Sequence, residues 1–234
     1  MIHTEQARRY AVVVAGGKGL RMGQDIPKQF IPIGGRPVLM HTLERLAQHC
    51  TRIVLVLPEA HMGYWRQLCQ DYDFALEHEL ALGGATRFDS VHSGLKQLAS
   101  YGVAPADLVA VHDGVRPFVS ADVVESCYAE AAVHGAALPY LPVVDSLRQY
   151  TEDGSSRAVD RASYVAVQTP QVFRLGELLE AYSVQYQVHF TDDASVWEYT
   201  GRCTPRLVLG NAENIKLTTP RDLAWAELIL RQGL

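Results

Sequence analysis

The sequence predicts an α/β fold in which a mostly parallel sheet is flanked by helices, and three observations predict it. The apolar run Ala11-Val12-Val13-Val14-Ala15 breaks into Gly16-Gly17-Lys18-Gly19-Leu20-Arg21-Met22-Gly23 and then Pro27-Lys28-Gln29, a strand entering a glycine-rich loop. Residues 52–57 (RIVLVL) are a second buried strand, and residues 38–49 between the two carry apolar side chains at helical spacing. That is a βαβ unit, so the strands are parallel. Residues 107–112 (DLVAVH) repeat the pattern and run into Asp113-Gly114-Val115-Arg116-Pro117, with Ser120 placed as the N-cap of a following helix.

The remaining elements follow from the same cues. Residues 74–79 read as a strand leading to Gly83-Gly84-Ala85-Thr86-Arg87 and a helix with the apolar face Val91, Leu95 and Leu98. Three loops of Gly, Asp and Arg thus follow three strands, and in open α/β sheets such loops converge on one crevice. Residues 146–151 and 157–168 read as two strands around a turn at Asp153-Gly154. Both are polar on both faces, so this hairpin cannot form a core alone and is expected to protrude, packed against a second subunit or left on the surface. Thr191-Asp192-Asp193 caps a helix through Tyr199, residues 206–209 form a short strand, and Thr219-Pro220-Arg221-Asp222 opens the last helix. The expected organisation is one domain over residues 1–234 with a β-arm at about 143–168.

Composition narrows the function classes. The chain is 48% hydrophobic and 20% charged, with no apolar run long enough for a membrane span and no apolar stretch in its first nine residues. A net charge of -5 argues against a nucleic-acid-binding face. Cys50, Cys69, Cys127 and Cys203 are scattered, without metal or disulfide spacing, and are expected to be reduced thiols of a cytoplasmic protein.

The opening loop carries the chemistry. Its glycines bring backbone N–H groups close to phosphate oxygens, and Lys18, Arg21 and Lys28 add three positive charges within eleven residues. It lacks the GxxxxGK[ST] of a Walker loop. It also departs from GxGxxG, because the position after Gly17 and Gly19 is Met22 and no acidic residue lies about twenty residues on to hold a ribose. A nucleoside polyphosphate fits better than a dinucleotide; a solvated glycine-rich turn is the bland alternative.

Ala15-Gly16-Gly17-Lys18-Gly19-Leu20-Arg21-Met22, Pro27-Lys28-Gln29, Gly83-Gly84 with Arg87 and Ser90, His112-Asp113-Gly114-Val115-Arg116-Pro117, Thr169-Pro170-Gln171, Thr191-Asp192 and Asn214-Ile215-Lys216 occur in that order. Together they resemble the sugar-phosphate cytidylyltransferases, and within them the 2-C-methyl-D-erythritol 4-phosphate cytidylyltransferase family. Ribitol-5-phosphate cytidylyltransferase shares most of these motifs; residues 159–161 and 191–195 are closer to the methylerythritol enzyme. A nucleotide-binding regulatory protein without turnover is disfavoured, because Arg21, Lys28, Asp113 and Lys216 are all present.

The resemblance implies a Rossmann-like fold of nucleotidyltransferase type and attack by the polyol 4-phosphate on the α-phosphorus of CTP, with pyrophosphate leaving. A phosphate monoester has a second pKa near 6, so the nucleophile is largely ionised at pH 7 and needs no general base. By the same resemblance Arg21, Lys28 and Lys216 are the catalytic cations, and Ala15, Gly16, Gly17, Gly19, Gly84, Arg87, Ser90 and Gly114 bind the nucleotide. Asp113, Arg116, Ser146, Arg161, Thr169 and Thr191 hold the sugar phosphate. Asp113 is the expected ligand for Mg2+ or another divalent cation. His112 is expected to be a packed strand-end residue. The arm would reach into the partner's site in a homodimer. Two departures stand out: Ser146 replaces the usual Thr in the arm, and the first loop reads Ala-Gly-Gly where Ala-Ala-Gly is common.

Overall fold

The computed structural model describes residues 7–17 and 26–233. Lys18, Gly19 and Arg21, all expected at the phosphate site, lie outside the described residues. β1 (Arg9–Val14) is buried along its centre, with Ala11 and Val13 facing one apolar layer and Tyr10 and Val12 the other. A strand covered on both faces needs no polar alternation, which is why it reads as a continuous apolar run. A small antiparallel hairpin, β2 (Pro32–Ile33) and β3 (Arg36–Pro37), leads into α1 (Val38–Ala47). β4 (Arg52–Leu57) then lies parallel to β1, with Ala11 opposite Ile53 and Val13 opposite Leu55.

α2 (Glu59–Asp71) precedes β5 (Glu79–Leu82), which is parallel to β4. α3 (Arg87–Ala99) begins at a capping box in which Thr86 and Asp89 bond each other's backbone N–H. β6 (Leu108–Asp113) pairs with β1 on the side opposite β4, and α4 (Ala121–His134) follows, with Ser120 Oγ accepting from Val123 N at 3.3 Å. β7 (Ala136–Pro142), β8 (Arg148–Tyr150), β9 (Ser156–Ala158), β10 (Val165–Val167) and β11 (Gln171–Arg174) complete the middle of the chain. α5 (Leu175–Ala181), α6 (Asp193–Tyr199), β12 (Arg206–Leu209) and α7 (Pro220–Arg231) close it.

The main sheet has the order β10-β7-β11-β6-β1-β4-β5, with β12 also paired to β7. β10 and β11 run against their neighbours and the other pairings are parallel. The expected mostly parallel sheet with flanking helices is therefore present. α1, α2 and α4 cover one face and α3, α5 and α6 the other, while α7 packs with Ile33, Val38, Val115, Phe118 and Leu217 in a third cluster. Among the described residues no helix is long and apolar enough to cross a membrane.

Two expectations change, and one helix was not foreseen. The strand expected at residues 74–79 lies at Glu79–Leu82, because Phe74 packs its ring against Trp65, 5.8 Å between centroids, and leaves the ladder to start with Glu79 opposite Val54. α2 was not legible, since Trp65 and Leu68 are its only buried residues and two positions make no stripe. The arm is shorter than expected: only Arg148–Tyr150 and Ser156–Ala158 pair with each other, while Val165–Val167 joins the main sheet beside β7.

α3 lies close on the sheet at Gly94, where a Cβ would meet Val12 Cγ1 at 2.6 Å and Val56 Cγ2 at 2.7 Å. Gly94→Val is expected to cost about 1–3 kcal/mol through overpacking, less a few tenths returned by helix propensity. Urea unfolding checks this; unchanged stability would mean that α3 can lift from the sheet freely.

Candidate active site

A cavity of about 280 Å3 opens at the C-terminal ends of β1, β4, β5 and β6. Its walls come from the loop after β1 (Ala15, Gly16, Gly17), the loop after β5 with the first turn of α3 (Gly84, Arg87, Ser90), and the end of β6 (Asp113), with Lys28 and Lys216 added from separate loops. The Lys28 stem crosses Gly17 so closely that a Cβ there would meet Lys28 Cε at 3.1 Å. A side chain at that position would push the Lys28 stem by a few tenths of an ångström, so glycine lets the cation lie along the loop undisturbed.

Asp113 is the electrostatic centre. It is 6% exposed, and three cations face its carboxylate: Lys216 Nζ at 3.0 Å, Arg116 Nε at 3.3 Å and Arg87 Nε at 3.8 Å. Burial alone would raise its pKa, but Arg87, Lys216 and Arg116 together outweigh that and hold it well below the usual carboxylate range. Arg87 is fixed by a second carboxylate that sequence reasoning missed. Asp193, 0% exposed, accepts a fork from Arg87 Nη1 and Nη2 at 2.9 and 2.7 Å, and its Oδ1 also accepts the Tyr182 hydroxyl at 2.6 Å. Thr191-Asp192-Asp193 was read as a helix start, and it is one, with Asp192 as N-cap. The signal that separates Asp193 from a solvated first-turn carboxylate is only the burial of its helix against α3 and α5.

The groups expected to bind the nucleotide are partly engaged within the protein. Ala15 N–H donates to Val56 O at 3.0 Å and Ala15 O accepts from Gln29 Nε2 at 2.7 Å, so Ala15 offers mainly a wall. Gly84 N–H donates to Ser90 Oγ at 3.1 Å, and Ser90 Oγ donates to Thr86 O at 2.9 Å. In this state Ser90 shapes the Gly84 loop. Gly16 and Gly17 are exposed on the cavity wall.

Other expected residues lie elsewhere. Gly114 does not line the cavity: its N–H donates to Val14 O at 2.9 Å and its carbonyl accepts Thr42 Oγ1 at 3.1 Å, so it joins β6 to β1 and α1. Arg116 backs Asp113 and donates through Nη1 to Asn214 O at 2.7 Å. Thr169 is buried, and its hydroxyl is bonded to Asp113 N and to His112 Nδ1, both at 3.1 Å. Thr191 is exposed ahead of α6. Ser146 and Arg161 are exposed on the arm, where Arg161 Nη1 donates to Val144 O, and no residue of the arm lines the cavity of its own chain.

Glycine backbone, strand ends and a cation-ringed carboxylate around one cavity define an enzyme that handles nucleotide phosphates, on a nucleotidyltransferase-like α/β fold. Residues 10–232 match the family IspD: 2-C-methyl-D-erythritol 4-phosphate cytidylyltransferase. A protein of that name from Porphyromonas gingivalis is 54% identical over 225 residues, covering 96% of this chain and 99% of that one. Another from Phocaeicola vulgatus is 52% identical over 226 residues, covering 95% and 99%. The solved structure of the Francisella tularensis 2-C-methyl-D-erythritol 4-phosphate cytidylyltransferase matches with a TM-score of 0.79 at 28% identity, over 95% of this chain and 99% of that one. The chain belongs to the 2-C-methyl-D-erythritol 4-phosphate cytidylyltransferase family.

Removing Asp193 would leave Arg87 charged and without its fork. Asp193→Ala is expected to cost about 3–5 kcal/mol, the range for a broken buried pair, whereas Asp192→Ala, which removes a cap, should cost about 1–2 kcal/mol. Urea unfolding of both variants checks the order; equal losses would mean that the fork contributes nothing beyond the helix start.

Proposed function

We propose that the chain transfers the CMP moiety of CTP to 2-C-methyl-D-erythritol 4-phosphate, releasing pyrophosphate and forming 4-diphosphocytidyl-2-C-methyl-D-erythritol. The observation that carries this reading is the placing of Lys28 and Lys216 on one glycine-walled cavity around Asp113. A phosphate oxygen of the polyol forms a bond to the α-phosphorus of CTP as the bond to the bridging oxygen of the β-phosphate breaks. The nucleophile arrives ionised, so the protein's task is positioning and charge neutralisation. Lys28 lies against the triphosphate side of the loop, and Lys216 meets the α-phosphate beside Asp113. Arg21 is assigned to the same charge by its place in the loop sequence. Gly16, Gly17 and Gly84 form the nucleotide wall, and Arg116, held behind Asp113 by Asn214 O, is assigned to the sugar phosphate by its place in the motif.

Among the described residues no group of three or more His, Cys, Asp or Glu side chains could hold a metal alone. Asp113 fits as a single ligand: Oδ2 takes the close contacts from Lys216 and Arg116, while the ion pair of Oδ1, with Arg87, is longer at 3.8 Å, so that oxygen is the better placed to offer a lone pair. Mg2+ commonly binds through one carboxylate, phosphate oxygens and waters. When bound, it would offset charge on the phosphate oxygens.

We assign a homodimer in which Ser146 and Arg161 of one arm complete the other subunit's site. The arm's exposed Val144 (77%) and Tyr150 (84%), and its distance from its own cavity, support this. Four unpaired thiols suit a cytoplasmic protein, and the net charge of -5 suits a small-molecule substrate better than nucleic acid. The names of the relatives favour methylerythritol phosphate over ribitol phosphate as the acceptor.

Pyrophosphate release with CTP and Mg2+ tests the reaction. Methylerythritol 4-phosphate should support turnover well above ribitol 5-phosphate, and Lys28→Ala should lose about a hundredfold or more in kcat, the scale of one preorganised charge contact. Near-normal kcat with only a raised KM would refute the catalytic role of Lys28. Mixing Lys28→Ala with Arg161→Ala chains should restore up to about a quarter of wild-type activity, because half the dimers then carry one intact site. No recovery after subunit exchange would remove the shared site.

A further inference from the structure

We propose that His112 is a positioning residue for the transfer reaction, whose neutral imidazole, with its hydrogen on Nε2, clamps the Arg116 carbonyl to the Thr169 hydroxyl and so sets where Asp113 and its cations stand. The proposal deepens the function assigned above and rests on it. His112 ends the apolar run of β6 one residue before Asp113, and it is 0% exposed. Both ring nitrogens have partners: Nε2 faces Arg116 O at 3.0 Å, and Nδ1 faces Thr169 Oγ1 at 3.1 Å.

The direction of each hydrogen bond follows from the chemistry of the groups. A carbonyl only accepts, so the ring must donate from Nε2 to Arg116 O. Thr169 Oγ1 accepts the Asp113 N–H at 3.1 Å, and its own hydrogen has Nδ1 as its partner. The chain therefore runs one way, from Asp113 N–H to the Thr169 hydroxyl to Nδ1, with Nε2–H closing on Arg116 O. Any other placement of the ring hydrogen sets two acceptors against each other.

This clamp joins parts of the site that the sequence keeps far apart. It holds the end of β6, the turn from Asp113 to Arg116, and the entry to β11 at Thr169. The same turn then holds the loop that carries Lys216: Arg116 Nη1 donates to Asn214 O at 2.7 Å, Asn214 Nδ2 donates to Thr169 O at 2.9 Å, and Leu217 N donates to Val115 O at 3.0 Å. Lys216 lies between two of these tethers. Histidine suits the position because a rigid ring presents a donor and an acceptor in divergent directions, whereas Asn and Gln carry both on one terminal carbon. His112 does not line the cavity, so it acts through Asp113, Arg116 and Lys216 and not on the substrate directly.

The test combines a spectroscopic reading of the ring with steady-state kinetics on the full-length enzyme. Nitrogen NMR of ring-labelled protein at neutral pH should show His112 with hydrogen on Nε2 and a bare, hydrogen-bonded Nδ1, and in Thr169→Val only the Nδ1 resonance should move. His112→Gln should lower kcat by roughly ten- to a hundredfold, the scale of a misplaced reacting group. It should also raise KM for the polyol phosphate by more than KM for CTP, because Arg116 belongs to the clamp whereas Gly16, Gly17 and Gly84 on the nucleotide side lie outside it. Thr169→Val should give the same pattern, and the double variant should be little worse than either, as expected of two cuts in one chain. Hydrogen on Nδ1, or folded variants that keep wild-type kcat, would overturn the proposal, as would a kcat loss that merely follows the folded fraction. Absence of turnover in the wild-type enzyme would instead overturn the assigned function, and the ring resonances, which need no turnover, tell the two failures apart.

Discussion

The site depends on one buried carboxylate. Asp113 lies at the end of a strand buried along its whole length, where an isolated charge would be costly, and it stays ionised because Arg87, Arg116 and Lys216 surround it. The dependence is mutual. Three cations within reach of one another repel, and the carboxylate between them offsets that repulsion before any substrate arrives. Asp193 neutralises Arg87, and Asp113 faces two further cations, so the cavity keeps an excess of positive charge suited to a polyanion. In a transfer between two phosphates that arrangement replaces acid–base chemistry.

The scaffold explains how long side chains can be held this way. β6 is central, pairing with β1 on one side and β11 on the other, so the position of Asp113 is fixed by two ladders. Each cation comes from a different element: Arg87 from the first turn of α3, Arg116 from the turn after β6, Lys216 from the loop before α7. Each is tied back by a bond that does not involve Asp113. Asp193 holds Arg87, Asn214 O holds Arg116, and the Leu217 amide on Val115 O holds the loop around Lys216. Such tethers cut the rotamer entropy that long charged side chains would otherwise lose on meeting a ligand.

Much of the fold was legible because its central strands are covered on both faces. Residues 10–15, 53–57 and 108–111 are unbroken apolar runs, and short runs of that kind bounded by polar, Pro or Gly residues point to strands covered on both faces. Where the physics is less local, the reading slipped. Residues 74–79 have strand-like composition, but the Trp65 ring captures Phe74 and the pairing begins later. α2 buries too little to mark itself, and the second half of the arm divides between a hairpin and the main sheet according to which partner strand lies within reach.

The sequence by itself determined the strand-to-glycine-loop entry, the parallel sheet, the presence of Lys28, Asp113 and Lys216, and the charge chemistry they suit. These are properties of residue type and of short spacing, and short spacing survives folding. Only the tertiary structure decided which groups remain available. The amides of Ala15, Gly84 and Gly114 and the hydroxyl of Thr169 are engaged within the protein, Asp193 is a buried counter-ion and not a solvated helix end, and His112 joins three segments. The reason is that a hydrogen-bonding group can be claimed by a neighbour dozens of residues away, and nothing in its own local sequence records that neighbour.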